Sequence, residues 1–201
     1  MQLKPKQLLA AVTTVLVFPL FLIYRILAIF LDANSIFTAH TQFLSLFPGK
    51  TGSYLRNSYC RLVMTGCDPE VVISFGTLFS QRDTEIGRGT YIGPQCNIGS
   101  CKIGRDCLLG SGVHVLSGKN QHAINDLNVP IREQGGKITK ISIGDDCWIG
   151  NGAVVMADIG KQTVVAAGAV VVNPVADRVI VAGNPAVVIK ERQSSGSEVQ
   201  S

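Results

Sequence analysis

The sequence predicts an all-β solenoid, a parallel β-helix of hexapeptide repeats, behind an N-terminal hydrophobic helix. Two observations carry that reading. An aliphatic residue followed by glycine recurs at Ile86, Ile92, Ile98, Ile103 and Leu109, and again at Ile143, Ile149 and Ile159. With Val115, Val155, Val165 and Val171, which lack the glycine, the successive spacings are 6, 6, 5, 6, 6, 28, 6, 6, 4, 6 and 6. The second observation is that every third spacing is the irregular one. A three-sided coil gives this pattern, with one hexapeptide per side and length changes tolerated at a single corner. Neither an amphipathic helix nor an alternating strand has a period of six with a period of three laid over it.

The composition agrees. The chain has 201 residues, 46% hydrophobic but only 16% charged, with 21 glycines. Soluble chains average about 25% charged residues, so this one is charge-poor without the signature of disorder. A net charge of +4 suits weak attraction to anionic lipid or a phosphate-bearing ligand. No dense Lys/Arg stripe marks a dedicated nucleic-acid binder. Six cysteines, none in a Cys-x-x-Cys pair, exclude a secreted disulfide scaffold and a zinc ribbon.

Residues 1–32 read as a membrane-associated hydrophobic helix. Leu8 to Tyr24 carries no charge, and after Arg25 the apolar run resumes to Leu31. That length can span a bilayer core, which needs about 20 residues. A signal peptide has a shorter apolar region and a small-x-small cleavage site, and no convincing one follows Leu31. Pro19 adds a third option, a kinked segment that re-enters or lies on the membrane surface. Lys4 and Lys6 face Arg25, Lys50, Arg56 and Arg61 across the run, so the charges leave orientation open.

Residues 33–69 form an amphipathic linker or capping segment. Ser45 to Lys50 reads as a turn, and Tyr54 to Met64 has apolar residues at helical spacing with basic ones between. Such a helix lies on a membrane or caps the domain behind it.

Residues 70–192 are the solenoid, with Ile73 and Phe79 extending the pattern weakly backward. In each repeat the aliphatic residue points inward and stacks on its equivalent one coil away. Cys96, Cys101, Cys107 and Cys147 fall inside the array and read as small buried thiols. The long spacing contains an excursion, residues 117–140, with no hexapeptide and little aliphatic content. Loops of that length in compact domains are functional or disordered. It holds His122, Asp126 and several amides. Residues 193–201 are polar and Ser-rich, a disordered tail.

The hexapeptides, the loop with His122, and the runs IGDDCWIGNGAVV (143–155), AAGAVVV (166–172) and AGNPAVVIK (182–190) resemble the left-handed β-helix acyltransferases, in particular the galactoside and maltose O-acetyltransferases. The resemblance runs from Val71 to Arg192, about 60% of the chain. The greasy N-terminus is absent from those soluble enzymes and looks more like membrane-associated relatives in exopolysaccharide or glycan biosynthesis.

The resemblance implies acyl transfer from acetyl-CoA, without a metal, to a sugar or glycan hydroxyl, in a homotrimer whose active sites lie between subunits. His122 occupies the position of the family's general base. A sugar hydroxyl is a poor nucleophile, and an imidazole can take its proton as it attacks the thioester, while backbone N–H groups stabilise the oxyanion. Asp126 is a candidate to fix the imidazole tautomer, with Glu133 as alternative. His114 and Asn97 are candidates for acceptor binding. Trp148, Gly150, Asn151 and Gly152 match the turn along the pantetheine arm, and Ala167 and Gly168 match the next contact one coil on. Val172, Asn173 and Val187 depart from the family's phosphate-binding pattern, which leaves Lys190 and Arg192 as candidates for the phosphates. Two other classes stand beside this reading: a membrane-tethered scaffold without catalysis, and a zinc-dependent carbonic-anhydrase-like protein. The latter needs three converging histidines, and only His114 and His122 lie in the solenoid. Acetyl-CoA is cytosolic, so the catalytic domain is expected on the cytoplasmic side of the membrane.

Overall fold

The computed structural model describes residues 5–193. Lys4 and most of the polar tail lie outside that range. Three helices come first: α1 (Pro5–Leu27), α2 (Ala33–Ser45) and α3 (Gly49–Val63). α1 ends before the apolar run does, because Asp32 starts a new helix by accepting the Ser35 backbone N–H at 2.7 Å. Pro19 lies inside α1 without terminating it. The linker resolves into two helices with the turn between them at the expected place.

The remainder is a three-faced parallel solenoid. The first face stacks β1 (Gly66–Cys67), β4 (Glu85–Ile86), β7 (Cys101–Ile103) and β10 (Ile141–Ile143). The second stacks β2 (Val72–Ile73), β5 (Tyr91–Ile92), β8 (Leu108–Leu109), β11 (Trp148–Ile149), β13 (Val164–Val165) and β15 (Val179–Gly183), closed by the antiparallel β16 (Ala186–Glu191). The third stacks β3 (Leu78–Phe79), β6 (Asn97–Ile98), β9 (His114–Val115), β12 (Val154–Val155) and β14 (Val170–Val171). The twelve aliphatic positions identified from spacing all point inward and are buried. The first coil starts at Gly66, ahead of the expected boundary, since Cys67 and Asp68 stand where Ile-Gly would have announced it.

Two corners are uniform in length, and from the second coil on, each turn there places one residue in the left-handed region. Between the first and second faces these are Gly89, Asp106, Asp146, Gln162 and Arg178; between the second and third they are Gly76, Gln95, Gly112, Gly152 and Gly168. The corner from third to first face has no such requirement, and all irregular spacings fall there. The glycine after each aliphatic residue has a separate cause, which is close approach of the neighbouring coil. A Cβ on Gly87 or Gly93 would sit 2.7 Å from the carbonyl of Gly104 or Gly110.

Each hexapeptide also buries a residue two positions before the aliphatic one, in most of them a small one, a feature the spacing did not reveal. Thr77, Thr84 and Thr90 donate their hydroxyls at 2.8 Å to the carbonyls of Gly93, Gly99 and Gly104 in the next coil. Cys96, Cys107 and Cys147 donate their thiols at 3.1 Å to Gly110, Gly144 and Gly160 in the same way. These cysteines are therefore small hydrogen-bonding core residues, interchangeable in place with threonine. None of the six is in a disulfide, and burial pushes the Cys101 thiol up to about 12.

The helices close the open end of the first coil, as solenoids require. Phe37 of α2 packs its ring against Phe79 and Tyr59. Arg56 of α3 is buried and donates to the carbonyls of Ile73, Leu44 and Phe47 at 2.8–3.1 Å. His40 belongs to this cap, with Nδ1 2.7 Å from the Tyr59 hydroxyl, and burial holds its imidazole below the ordinary value.

Candidate active site

Three features surround the third face. On the face itself, the pairing of β6 with β9 sets Asn97 directly beside His114, both side chains outward, with Asn97 Nδ2 3.4 Å from His114 Nδ1. Sequence alone left the position of Asn97 loose; the strand register fixes it.

Along the corner between the second and third faces runs a column of small residues: Gly110-Ser111-Gly112, Gly150-Asn151-Gly152 and Ala166-Ala167-Gly168. Their backbones stack coil on coil, Gly152 N–H to Ser111 carbonyl at 2.9 Å and Gly168 N–H to Asn151 carbonyl at 2.8 Å. Asn151 is part of that ladder, its Oδ1 accepting the Ser111 N–H at 3.1 Å. Nothing lies within 4 Å of where a Cβ would be on Gly112, Gly152 or Gly168. The corner is an open track of glycines and small residues, into which a thin extended chain fits. Trp148 borders it from the second face and is 56% exposed, outside the core.

The excursion, residues 117–140, leaves from the opposite edge of the third face and is more ordered than its composition suggests. Its two arms pair through Thr139 N–H to Ser117 carbonyl, Lys137 N–H to Asn120 carbonyl and Ala123 N–H to Gly135 carbonyl, at 2.8–3.0 Å. Gln134 ties the tip together, donating to the carbonyls of Asp126 and Val129 at 2.7 Å and accepting the Asp126 N–H at 3.1 Å. At the base, Ser117 Oγ accepts the Ser100 N–H at 2.9 Å, and Lys140 pairs with Glu85 at 2.7 Å. His122 sits exposed at the paired arms. Neither Gln134 nor Ser117 carried any motif in the sequence.

The candidate carboxylates and Arg192 have other partners within the chain. The Asp126 carboxylate accepts the Asn128 N–H at 2.9 Å, a local turn, and no hydrogen bond joins it to His122. Glu133 pairs instead with its neighbour Arg132 at 3.2 Å. Lys190 and Arg192 follow the glycine corner closely in sequence, but β16 reverses and carries them back across the second face, so that Lys190 lies opposite Ile180. Arg192 there donates to the Gln162 carbonyl at 3.1 Å and lies 3.7 Å from Asp146. It is engaged at the wrong corner for a ligand in the glycine track. Among the described residues no cluster of three metal-ligating side chains occurs.

Comparison with known proteins agrees with this architecture. Residues 83–117 match the family described as bacterial transferase hexapeptide (six repeats), and residues 140–172 match the hexapeptide repeat of succinyl-transferase. The chain carries a hexapeptide-repeat solenoid. A maltose O-acetyltransferase from Clostridium difficile 630 superposes on this hexapeptide-repeat protein with TM-score 0.68 at 17% identity, covering 81% of this chain and 90% of that one. A hexapeptide-repeat-containing acetyltransferase from Vibrio cholerae gives TM-score 0.60 at 20% identity, covering 82% and 96%. An N-acyltransferase from Bacillus cereus, solved with dTDP-4-amino-4,6-dideoxyglucose and coenzyme A, gives 0.54 at 18%, covering 64% and 73%. At these identities the likeness is one of fold.

Proposed function

We propose that this hexapeptide-repeat protein is an acetyl-CoA-dependent O-acetyltransferase acting on a hydroxyl of a sugar or glycan. The observation that carries the reading is the open glycine track at one corner, bordered by Trp148 and lying next to the face that presents His114 and Asn97. Acetyl-CoA would supply the activated acyl group, its pantetheine arm lying along Gly150, Asn151, Gly152, Ala167 and Gly168. The small residues there admit a thin chain. Lys190 remains the candidate for a phosphate contact. Asn97 and His114 would hold the acceptor, and His122 would take the proton from its hydroxyl.

Within one chain the track and the excursion loop flank opposite edges of the third face, which suits an active site completed between copies. The outward row of the second face suits the same conclusion, because Val72, Tyr91, Leu108 and Trp148 are 42%, 37%, 52% and 56% exposed and contiguous. A homotrimer fits both. α1 is long and apolar enough to cross a membrane by length and composition. Membrane association, a cytoplasmic solenoid and a role in polysaccharide or cell-surface glycan synthesis complete the reading.

Free-thiol release from acetyl-CoA, followed over a panel of sugars and lipid-linked glycans, tests it. Acceptor-dependent release that falls about 10²-fold or more in His122→Ala is the expected result. Neither turnover with any acceptor nor binding of CoA would leave a non-catalytic scaffold instead.

A further inference from the structure

The sequence left three arrangements open for the hydrophobic helix, and the way α1 is docked chooses between them. One stripe of α1 faces the protein: Thr13, Val17 and Tyr24 are buried. About one turn before its midpoint Thr13 Oγ1 lies 2.9 Å from Ser58 Oγ of α3, and Thr14 Oγ1 lies 3.3 Å from the same atom. α3 is itself fixed to the first coil. Asn57 donates to the carbonyls of Asp68 and Val71 at 3.0 and 3.1 Å, and Arg56 to Ile73 at 3.0 Å. The centre of α1 is thus one helix away from the solenoid.

A helix crossing a bilayer places its centre in the middle of the hydrocarbon. With α1 docked as it is, α3, the exposed Arg61 and the coil edge at Asp68 and Glu70 would be drawn in with it. The charged side chains of Arg61, Asp68 and Glu70 would lose their water there. The outer side of α1 nevertheless exposes Val12, Val15, Leu16, Leu22, Ile23 and Ile26. Beyond the helix, Phe43, Leu46 and Phe47 add more exposed apolar surface at the end of α2.

Charge identifies what covers this side. Residues 1–67 contain six Lys/Arg (Lys4, Lys6, Arg25, Lys50, Arg56, Arg61) and one acid, Asp32, whereas the remaining 134 residues contain 12 basic and 13 acidic ones. The positive charge of the protein is therefore concentrated in the helical part. Arg56 is buried in the cap, but Lys6, Arg25, Lys50 and Arg61 are exposed, with Lys6 and Arg25 near the two ends of α1. An exposed apolar stripe between cations matches an anionic lipid surface rather than an aqueous partner or the near-neutral solenoid of a second copy.

We propose that the three helices form a one-sided membrane anchor, with α1 lying in the interface of an anionic leaflet, both of its ends and the solenoid on the same side of the bilayer. The arrangement stands independently of the acetyltransferase reading.

The test uses the full chain carrying a single added cysteine, Lys6→Cys or Lys102→Cys, and a membrane-impermeant maleimide applied to intact cells and to inside-out vesicles, with the unsubstituted protein as background. Both positions reacting in the same preparation is the expected result; reaction in opposite preparations means a spanning helix and overturns the proposal. In a second experiment the purified protein is floated with phosphatidylglycerol–phosphatidylcholine vesicles. Leu16→Lys/Ile23→Lys should lower vesicle binding roughly tenfold or more, with an unchanged thermal transition of the solenoid. Undiminished binding by that variant, or self-association of the wild type without lipid binding, likewise overturns it.

Discussion

Along the second face, successive coils present Val72, Tyr91, Leu108, Trp148, Val164 and Ile180 to the outside, whereas along the first face they present Glu85, Lys102 and Ser142. The inward residues of the two faces are alike: Ile73, Ile92, Leu109 and Ile149 on one, Ile86, Ile103 and Ile143 on the other, all buried. One repeat rule therefore builds both faces, and only the positions that the rule leaves free distinguish them. The first face is finished in water, with Glu85 bridging Lys102 and Lys140. The second carries a ladder of apolar side chains that no described part of the chain covers. The interior sets the fold, and the exterior distinguishes the faces.

The common interior is the first half of that comparison to attack. Leu109→Ala on the second face and Ile103→Ala on the first should each cost about 2–5 kcal/mol of stability in urea unfolding, because both empty a site inside close-packed coils. A large difference between the two would show that the faces are not built alike. The outer positions should then separate them. Leu108→Glu is expected to dissociate the proposed trimer in analytical ultracentrifugation, since a carboxylate would be desolvated in an apolar contact. Lys102→Glu, at the neighbouring position on the first face, should leave the sedimentation coefficient unchanged.

Smaller effects probe the corners. Gly152→Val combines a β-branched side chain with a φ of +66° and blocks the glycine track. Roughly 1–2 kcal/mol of destabilisation is expected, with CoA affinity by calorimetry falling more than tenfold. The equivalent position two coils back is Gln95, so a Gly152→Gln protein that folds normally yet binds CoA poorly would separate the ligand effect from backbone strain. Cys107→Thr should change stability by less than about 1 kcal/mol, because Thr90 already makes the same hydrogen bond one coil earlier.

The smallest effect is electrostatic. The Lys140 ammonium bonded to Glu85 holds that carboxyl below the usual range. A depressed native pKa adds stability above the unfolded value, and that stability is lost as pH falls through the folded one. Both groups are about one-third exposed, so Glu85→Gln should remove only a few tenths of a kcal/mol at neutral pH. The loss should vanish in acid, below the carboxyl's titration, as thermal unfolding across pH can follow.

The repeat was legible in the sequence because an inward aliphatic residue is required once per side, whatever surrounds it. Even the faulty corner could be located, since every irregular spacing must fall where no left-handed residue is needed. Legibility failed where a residue's partner comes from another coil. Cys107 and Thr90 look unrelated until both are seen donating to the coil above. Asp126, four residues from His122, seemed close enough to orient it, but a short Asx turn claims the carboxylate first. Arg192 lies near the glycine corner in sequence, and the hairpin of β15 and β16 takes it to the other one.

The sequence by itself determined the solenoid, its three-sidedness, the excursion loop and the presence of an apolar helix, because each is a local pattern with a fixed period or an interruption of one. Tertiary structure alone decided that Asn97 stands beside His114, that Trp148 is exposed next to an open track, and that α1 is fastened at Thr13 to a helix capping the first coil. Those facts depend on register between coils and on which surface a helix docks against. Both are set by stacking over distances that a six-residue repeat does not encode.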